Sequence, residues 1–261
     1  MSTIRPLFAF ARIAALATLG ALAALATARA GPAVPAYIAA AVANPDRPEA
    51  DRQRDAARKP AEVIAFSQMR PGWIVADVIP GEGYYDRIFA GVVGPKGHVY
   101  GFYPAELTNF LKIQLPRNGQ MPDPKFRNFT ALVASVNSFA PPVPVNLVWL
   151  SDNYHDLHDP FFAPADVAKI NAAVFKALKP GGIYLILDHA AAKGSGLRDT
   201  NSLHRIDAAS VEAEVEAAGF QLVGESDVLR NPADDRSKKI FEPSIRGRTD
   251  QFVLRFRKPA T

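Results

Sequence analysis

Residues 73–85, WIVADVIPGEGYY, decide the fold. Residues 73–79 form a short, nearly continuous apolar run, which predicts a strand covered on both faces, since a half-exposed strand alternates. Pro80-Gly81-Glu82-Gly83 is a turn, residues 84–93 predict a helix, and Gly94-Pro95-Lys96-Gly97 breaks it. Strand, glycine turn and helix together make one unit of a parallel sheet.

Working outward, the unit repeats. Further strands are expected at residues 98–103, 126–133, 145–150 and 183–187. A helix over residues 164–178 stops at Lys179-Pro180-Gly181-Gly182, and a second one, capped by Asp207, runs to Ala218 before Gly219. Residues 221–228 and 251–257 are the last two strands. The segment between them is polar and broken by Pro232, Pro243 and Gly247, which leaves no room for a helix. The last pair is therefore read as a hairpin. The fold class is α/β: a Rossmann-like, doubly wound sheet of seven strands, mostly parallel, with an antiparallel last strand.

Towards the N-terminus, residues 60–69 predict a helix with Val63, Ile64 and Phe66 inward. Residues 44–59 carry dense mixed charge and read as a solvated helix with Pro48 near its first turn; residues 31–45 read as a leader. Arg5 and Arg12 precede an uncharged run over residues 13–28, and Ala28-Arg29-Ala30 places small residues where a signal peptidase reads. Residues 1–30 are expected to be a cleaved signal peptide, so the chain is expected to be exported, periplasmic or secreted. The domain organisation is then 1–30 signal peptide, 31–60 leader and charged helix, and 61–261 the α/β domain, with no transmembrane span in the mature protein.

Removing Arg5, Arg12 and Arg29 from the 30 basic residues leaves 27 against 26 acidic ones, so the charge gives no argument for nucleic acid or an anionic surface. Cysteine is absent, which excludes disulfides, thiolate catalysis and cysteine-based metal sites.

The segments Arg70-Pro71-Gly72, residues 77–85 (DVIPGEGYY), 147–156 (LVWLSDNYHD) and 177–182 (ALKPGG) resemble the class I S-adenosylmethionine (SAM) methyltransferases over residues 61–258. The closest likeness is to a group of predicted bacterial methyltransferases, many with signal peptides, which share the Pro80 to Tyr85 turn, Asn153 to Asp156, Asp188-His189 and Arg246 to Phe252. The resemblance implies SAM as cofactor and a small-molecule acceptor. It implies cofactor contacts from Asp77, Pro80, Gly81, Gly83 and Tyr84, and from Asp152 and Asn153 after the fourth strand. Two features depart from the family pattern. Ile79 stands where its first glycine is usual, implying a wider turn or one partly closed by side chains. No acid ends the second strand to hold the ribose: either Glu106 swings in, Tyr103 makes a weaker contact, or SAM is not the ligand.

Four of the five histidines fall in segments that follow strands at the carboxyl edge, where ligands of parallel sheets sit. His155 and His189 are the candidate general bases, with Tyr154, Asp188, His204 and Arg246 as acceptor contacts. His155 and His158 with their carboxylate neighbours are weighed as metal ligands and set aside, so no metal is expected. The 230–248 loop reaches the same edge and is expected to gate the pocket or meet an anionic group. Three functions remain open: a SAM-dependent methyltransferase, a non-catalytic ligand-binding protein on the same fold, and a different histidine-dependent enzyme.

Overall fold

A computed structural model describes Met1 and residues 33–110, 126–162 and 165–260; the expected signal peptide and the expected helix start at Pro164 lie outside the described residues. In chain order the elements are α1 (Ala36–Val42), α2 (Glu49–Arg52), α3 (Asp55–Arg58), α4 (Pro60–Ser67), β1 (Ile74–Val78), α5 (Tyr84–Val93), β2 (His98–Pro104), α6 (Ala105–Phe110), β3 (Phe129–Ala134), β4 (Val145–Ser151), α7 (Val167–Ala177), β5 (Leu178–His189), α8 (Thr200–Leu203), α9 (Ala208–Ala217), β6 (Gln221–Ser226) and β7 (Gln251–Arg257). The strands form one sheet in the order β3-β2-β1-β4-β5-β7-β6. All pairings from β3 to β5 are parallel, and β7 runs antiparallel between β5 and β6.

The continuous apolar runs are explained by two cores, one on each face. Leu147 and Trp149 of β4 belong to one with Val75, Leu185 and α4 and α5; Val148 and Leu150 belong to the other with Ala76, Val78, Ile186, α7 and α9. Successive side chains of a strand point to opposite faces, so both registers must be apolar. No helix among the described residues is long and apolar enough to cross a membrane.

Three local expectations are corrected. The Lys-Pro-Gly-Gly segment does not separate helix from strand: β5 already begins at Leu178 opposite Val145, the register shifts by Leu147, and Gly181 N–H donates to Lys258 O. The third strand begins at Phe129, because the Asn128 amide is turned back to donate to Ala90 O and Gly94 O. The charged stretch is not one solvated helix. It breaks into the single turns of α2 and α3, whose charges are used inward: Arg47 (1% exposed) pairs with Asp55, and Asp51 accepts from Arg87 of α5 at 2.6 Å.

Candidate functional site

The turn after β1 lies at the carboxyl edge. Gly81 and Gly83 take φ of 59° and 77°, which side-chain-bearing residues rarely adopt, and Gly83 opens α5. Ile79 shares this left-handed conformation at φ 60°. Ile79 thus takes a conformation that a glycine there would adopt without strain. The Ile79 side chain is buried with Val78 and Phe102, and that packing offsets backbone strain of about 1–3 kcal/mol.

A cleft of about 1030 Å³ runs along this edge. At one end it is lined by Glu82 of the turn, by Leu107, and by Gln53, Arg54, Ala57 and Arg58 of the N-terminal segment. Tyr84 holds that segment in place: its hydroxyl donates to Asp55 at 2.6 Å, and the guanidinium groups of Arg47, Arg54 and Arg58 lie 4.8–5.3 Å from its ring centre. Arg58 also pairs with Asp152 at 3.3 Å. Arg54 has no carboxylate within salt-bridge distance among the described residues, and burial followed by repulsion from Arg58 pushes its pKa down.

The other end of the cleft holds three histidines. After β4, Asp152 turns left-handed (φ 59°) and its carboxylate accepts from Gln251 at 2.6 Å. The next turn, His155–His158, presents the buried His155, whose backbone N–H and Nδ1 both meet Asp188 at 2.8 Å. His155 Nε2 lies 3.2 Å from Asp156 Oδ1, and His204 Nδ1 lies 3.5 Å from the same oxygen. His204 packs edge-on against His155 and Phe241. Burial alone would push the His155 pKa down, but Asp188 and Asp156 outweigh it and hold the imidazole well above its ordinary value. At His189, Nδ1 meets Thr249 Oγ1 at 2.8 Å, and Nε2 stands 3.9 Å from Asp152 Oδ1. Burial pushes its pKa down, against the pull of Asp152 and Asp188.

Of the residues singled out in the sequence, Asp152, Asn153, His155, His189, His204 and Arg246 line the cleft together. Others do not. Asp77 faces inward, within reach of Asp86 on α5, and both are buried. Tyr103 is buried, and the Glu106 carboxylate is tied to Ser135 Oγ at 2.7 Å and the Val136 N–H at 3.1 Å. Tyr154 lies on the far side of the sheet edge, where its hydroxyl donates to Glu214 and accepts from Asn171, so it is a packing residue rather than an acceptor contact. His158 turns to Glu214 as well. Pro80, Gly81, Gly83, Tyr84 and Asp188 are not among the residues that line the cleft. In the 230–248 loop, Arg230 and Arg236 are spent on Asp250, and Arg246 is the arginine that reaches the cleft. Arg54, Arg58, Glu82 and Phe241 were not among the sequence candidates; the density of arginines before Pro60 was the available signal for the first two, and the Pro80 to Tyr85 turn for Glu82.

No family model matches the chain. Protein-L-isoaspartate O-methyltransferase of Ignicoccus hospitalis is 28% identical over 127 residues, 48% of this chain and 52% of the relative. The chain thus spans about half the length of the curated relative it matches. Among solved structures, a SAM dependent methyltransferase from Aquifex aeolicus superposes with a TM-score of 0.52 at 20% identity, over 83% of this chain and 96% of that one. The [4+2]-cyclase SpnF superposes at 0.53 with 17% identity, over 81% and 82%. These likenesses show the class I methyltransferase fold, and the cyclase shows that the fold alone does not set the chemistry.

Proposed function

We propose that this chain is a SAM-dependent methyltransferase acting on a small-molecule acceptor in the cell envelope, the location resting on the expected signal peptide. The observation that carries this reading is the single cleft joining the glycine turn to the histidines. At its first end the donor set fits the methionine part of SAM. Arg54 offers a half-buried guanidinium without a salt bridge among the described residues, beside the N-terminus of α5, and both suit a carboxylate. Asp152 and Asn153 supply acceptor and donor groups for the ammonium end and the backbone around it, and Glu82 is the carboxylate on this wall that suits the ribose hydroxyls. When bound, SAM supplies an electrophilic methyl group on a sulfonium, and orientation is the main contribution of the protein.

His189 is the base in this reading. With Nδ1–H donating to Thr249, the Nε2 lone pair faces the cleft and takes the proton of an oxygen or nitrogen acceptor. His155 does not suit that role, because each ring nitrogen already faces a carboxylate. Arg246 and Lys239 at the rim favour an acceptor with an anionic group.

A second reading, a ligand-binding protein that keeps the fold without the reaction, is favoured by one observation: Glu106 is fully engaged by Ser135 and Val136, so β2 ends without a free carboxylate. Calorimetric titration of the full chain with SAM and with S-adenosylhomocysteine separates the two. Micromolar binding is expected, weakened about 10–100-fold by Arg54→Ala, the range of one charge-assisted hydrogen bond. No heat at millimolar ligand from a folded sample rejects the methyltransferase and leaves the binding protein.

A further inference from the structure

We propose that His155 Nε2, Asp156 Oδ1 and His204 Nδ1 form a binding site for a first-row divalent cation of the zinc class. The three ligand atoms lie within 4.8 Å of one another, and all three residues line the cleft. The two separations from Asp156 Oδ1, 3.2 and 3.5 Å, match neighbouring ligands around one ion. Bond lengths of about 2.0–2.2 Å place such ligands about 3.0–3.5 Å apart.

A second feature, independent of that spacing, points to the same use. A metal-ligating imidazole characteristically gives its other N–H to a carboxylate, which fixes its tautomer and orientation. His155 does this: Nδ1 meets Asp188 Oδ1 at 2.8 Å, which leaves Nε2, beside Asp156 Oδ1, as the ligand edge. Asp188 is itself held by the His155 and His189 backbone N–H groups, so the ring is pinned through the end of β5. Asp159 adds to the local negative charge. It is 3% exposed, its near polar partner is the Thr200 hydroxyl, and it is close enough to His155, Asp156 and His204 to act on their charges. A cation among these groups would balance carboxylates that burial otherwise penalises.

The donor set selects the ion. Two imidazoles and one carboxylate suit zinc, iron, cobalt or nickel; magnesium and calcium take oxygen ligands. Three protein ligands leave positions open, and these face the cleft, so the ion would take an oxygen or nitrogen of a bound molecule there. The site does not depend on the cofactor reading, since none of its ligands lies at the Arg54 end.

The test is calorimetric titration of the untagged, chelator-stripped full chain with zinc chloride at neutral pH, without SAM. One equivalent is expected to bind with a Kd of micromolar or tighter. His204→Ala, a partly exposed position, is expected to weaken binding at least 100-fold, and Asp188→Asn about 10–100-fold. Asp156→Asn is the second ligand variant if His204→Ala does not retain the circular dichroism of the parent. Absence of binding by the parent, or binding unchanged in a folded ligand variant, overturns the site. Because SAM is absent, failure here leaves the methyltransferase reading standing, and the converse holds.

Discussion

Arg205→Met is expected to lower unfolding free energy by about 3–5 kcal/mol, among the largest effects of any single substitution in this chain. The Arg205 side chain is fully buried and pairs with Asp234 by two hydrogen bonds, at 2.8 and 3.2 Å. Its remaining donors reach Lys238 O and Ala190 O. Asp234 in turn accepts from the Asp250 and Arg236 N–H groups. One guanidinium thus ties the end of β5 to the loop before β7, the loop that brings Lys239, Ile240, Phe241 and Arg246 to the cleft. Methionine fills the volume but leaves the Asp234 charge buried with backbone donors alone. Adding Asp234→Asn to the variant is expected to recover at least half of the loss, since the amide oxygen still accepts from backbone and carries no charge. Urea denaturation of the parent and both variants measures this. A loss below about 1 kcal/mol would mean that the Asp250 cluster holds the loop without Arg205.

The contrast between fold and site legibility has a physical cause. Strands buried on both faces are nearly continuous apolar runs, interrupted here only at Asp77 and Asn146, so β1 and β4 are readable from residues 73–79 and 145–150 alone. The absence of a helix before β7 could likewise be read from Pro232, Pro243 and Gly247. Site residues follow no such periodicity. Asp152, His155, His189 and His204 were found because topology sends the carboxyl ends of the parallel strands to one edge. Tyr154 sits in the same stretch, yet the turn at His155 points it into the opposite core, and no local signal distinguishes it from its neighbours. The arginines of α2 and α3 were read as solvated because mixed charge at helical spacing usually is. What uses the charges of these turns lies elsewhere in the chain: Arg58 meets Tyr84 and Asp152, and Asp51 meets Arg87, only once the sheet is assembled. The Glu106 alternative likewise turned on Ser135 and Val136, some thirty residues away.

Between about pH 4.5 and pH 7 the chain is expected to lose about 2–4 kcal/mol of stability through the Asp77–Asp86 pair, and Asp86→Asn is expected to remove most of that slope. Asp86 is pushed up to about 7, first by burial, against the pull of Asp77 as hydrogen-bond donor and of Arg87. Asp77 is raised well above its ordinary value by burial and then by Asp86, with Arg58 opposing. Tyr85 and Tyr103 also face the pair, and both stay neutral in this range. Apart from each other, neither Asp86 oxygen has a hydrogen-bond partner among the described residues, so a shared proton is what satisfies the pair. Both carboxyls hold their protons more tightly folded than unfolded, where aspartate titrates at about 3.9. The folded state therefore binds more protons above pH 4, and stability is fullest below that value and falls as pH rises towards 7. Each full proton corresponds to about 1.4 kcal/mol per pH unit. His98 and His189, with lowered pKa values, act in the opposite direction below about 6.5. His155, held above its ordinary value, adds to the loss above about 6.5. Asp55 and Asp156, both lowered, act only at more acid pH. These contributions are common to parent and variant, so the difference between their stability–pH curves isolates the pair. Asparagine keeps the volume and supplies a permanent donor to Asp77, leaving one titrating group where there were two. Parallel curves for parent and Asp86→Asn would show that water or a shift of α5 satisfies the carboxylates, and that no proton is held between them at neutral pH.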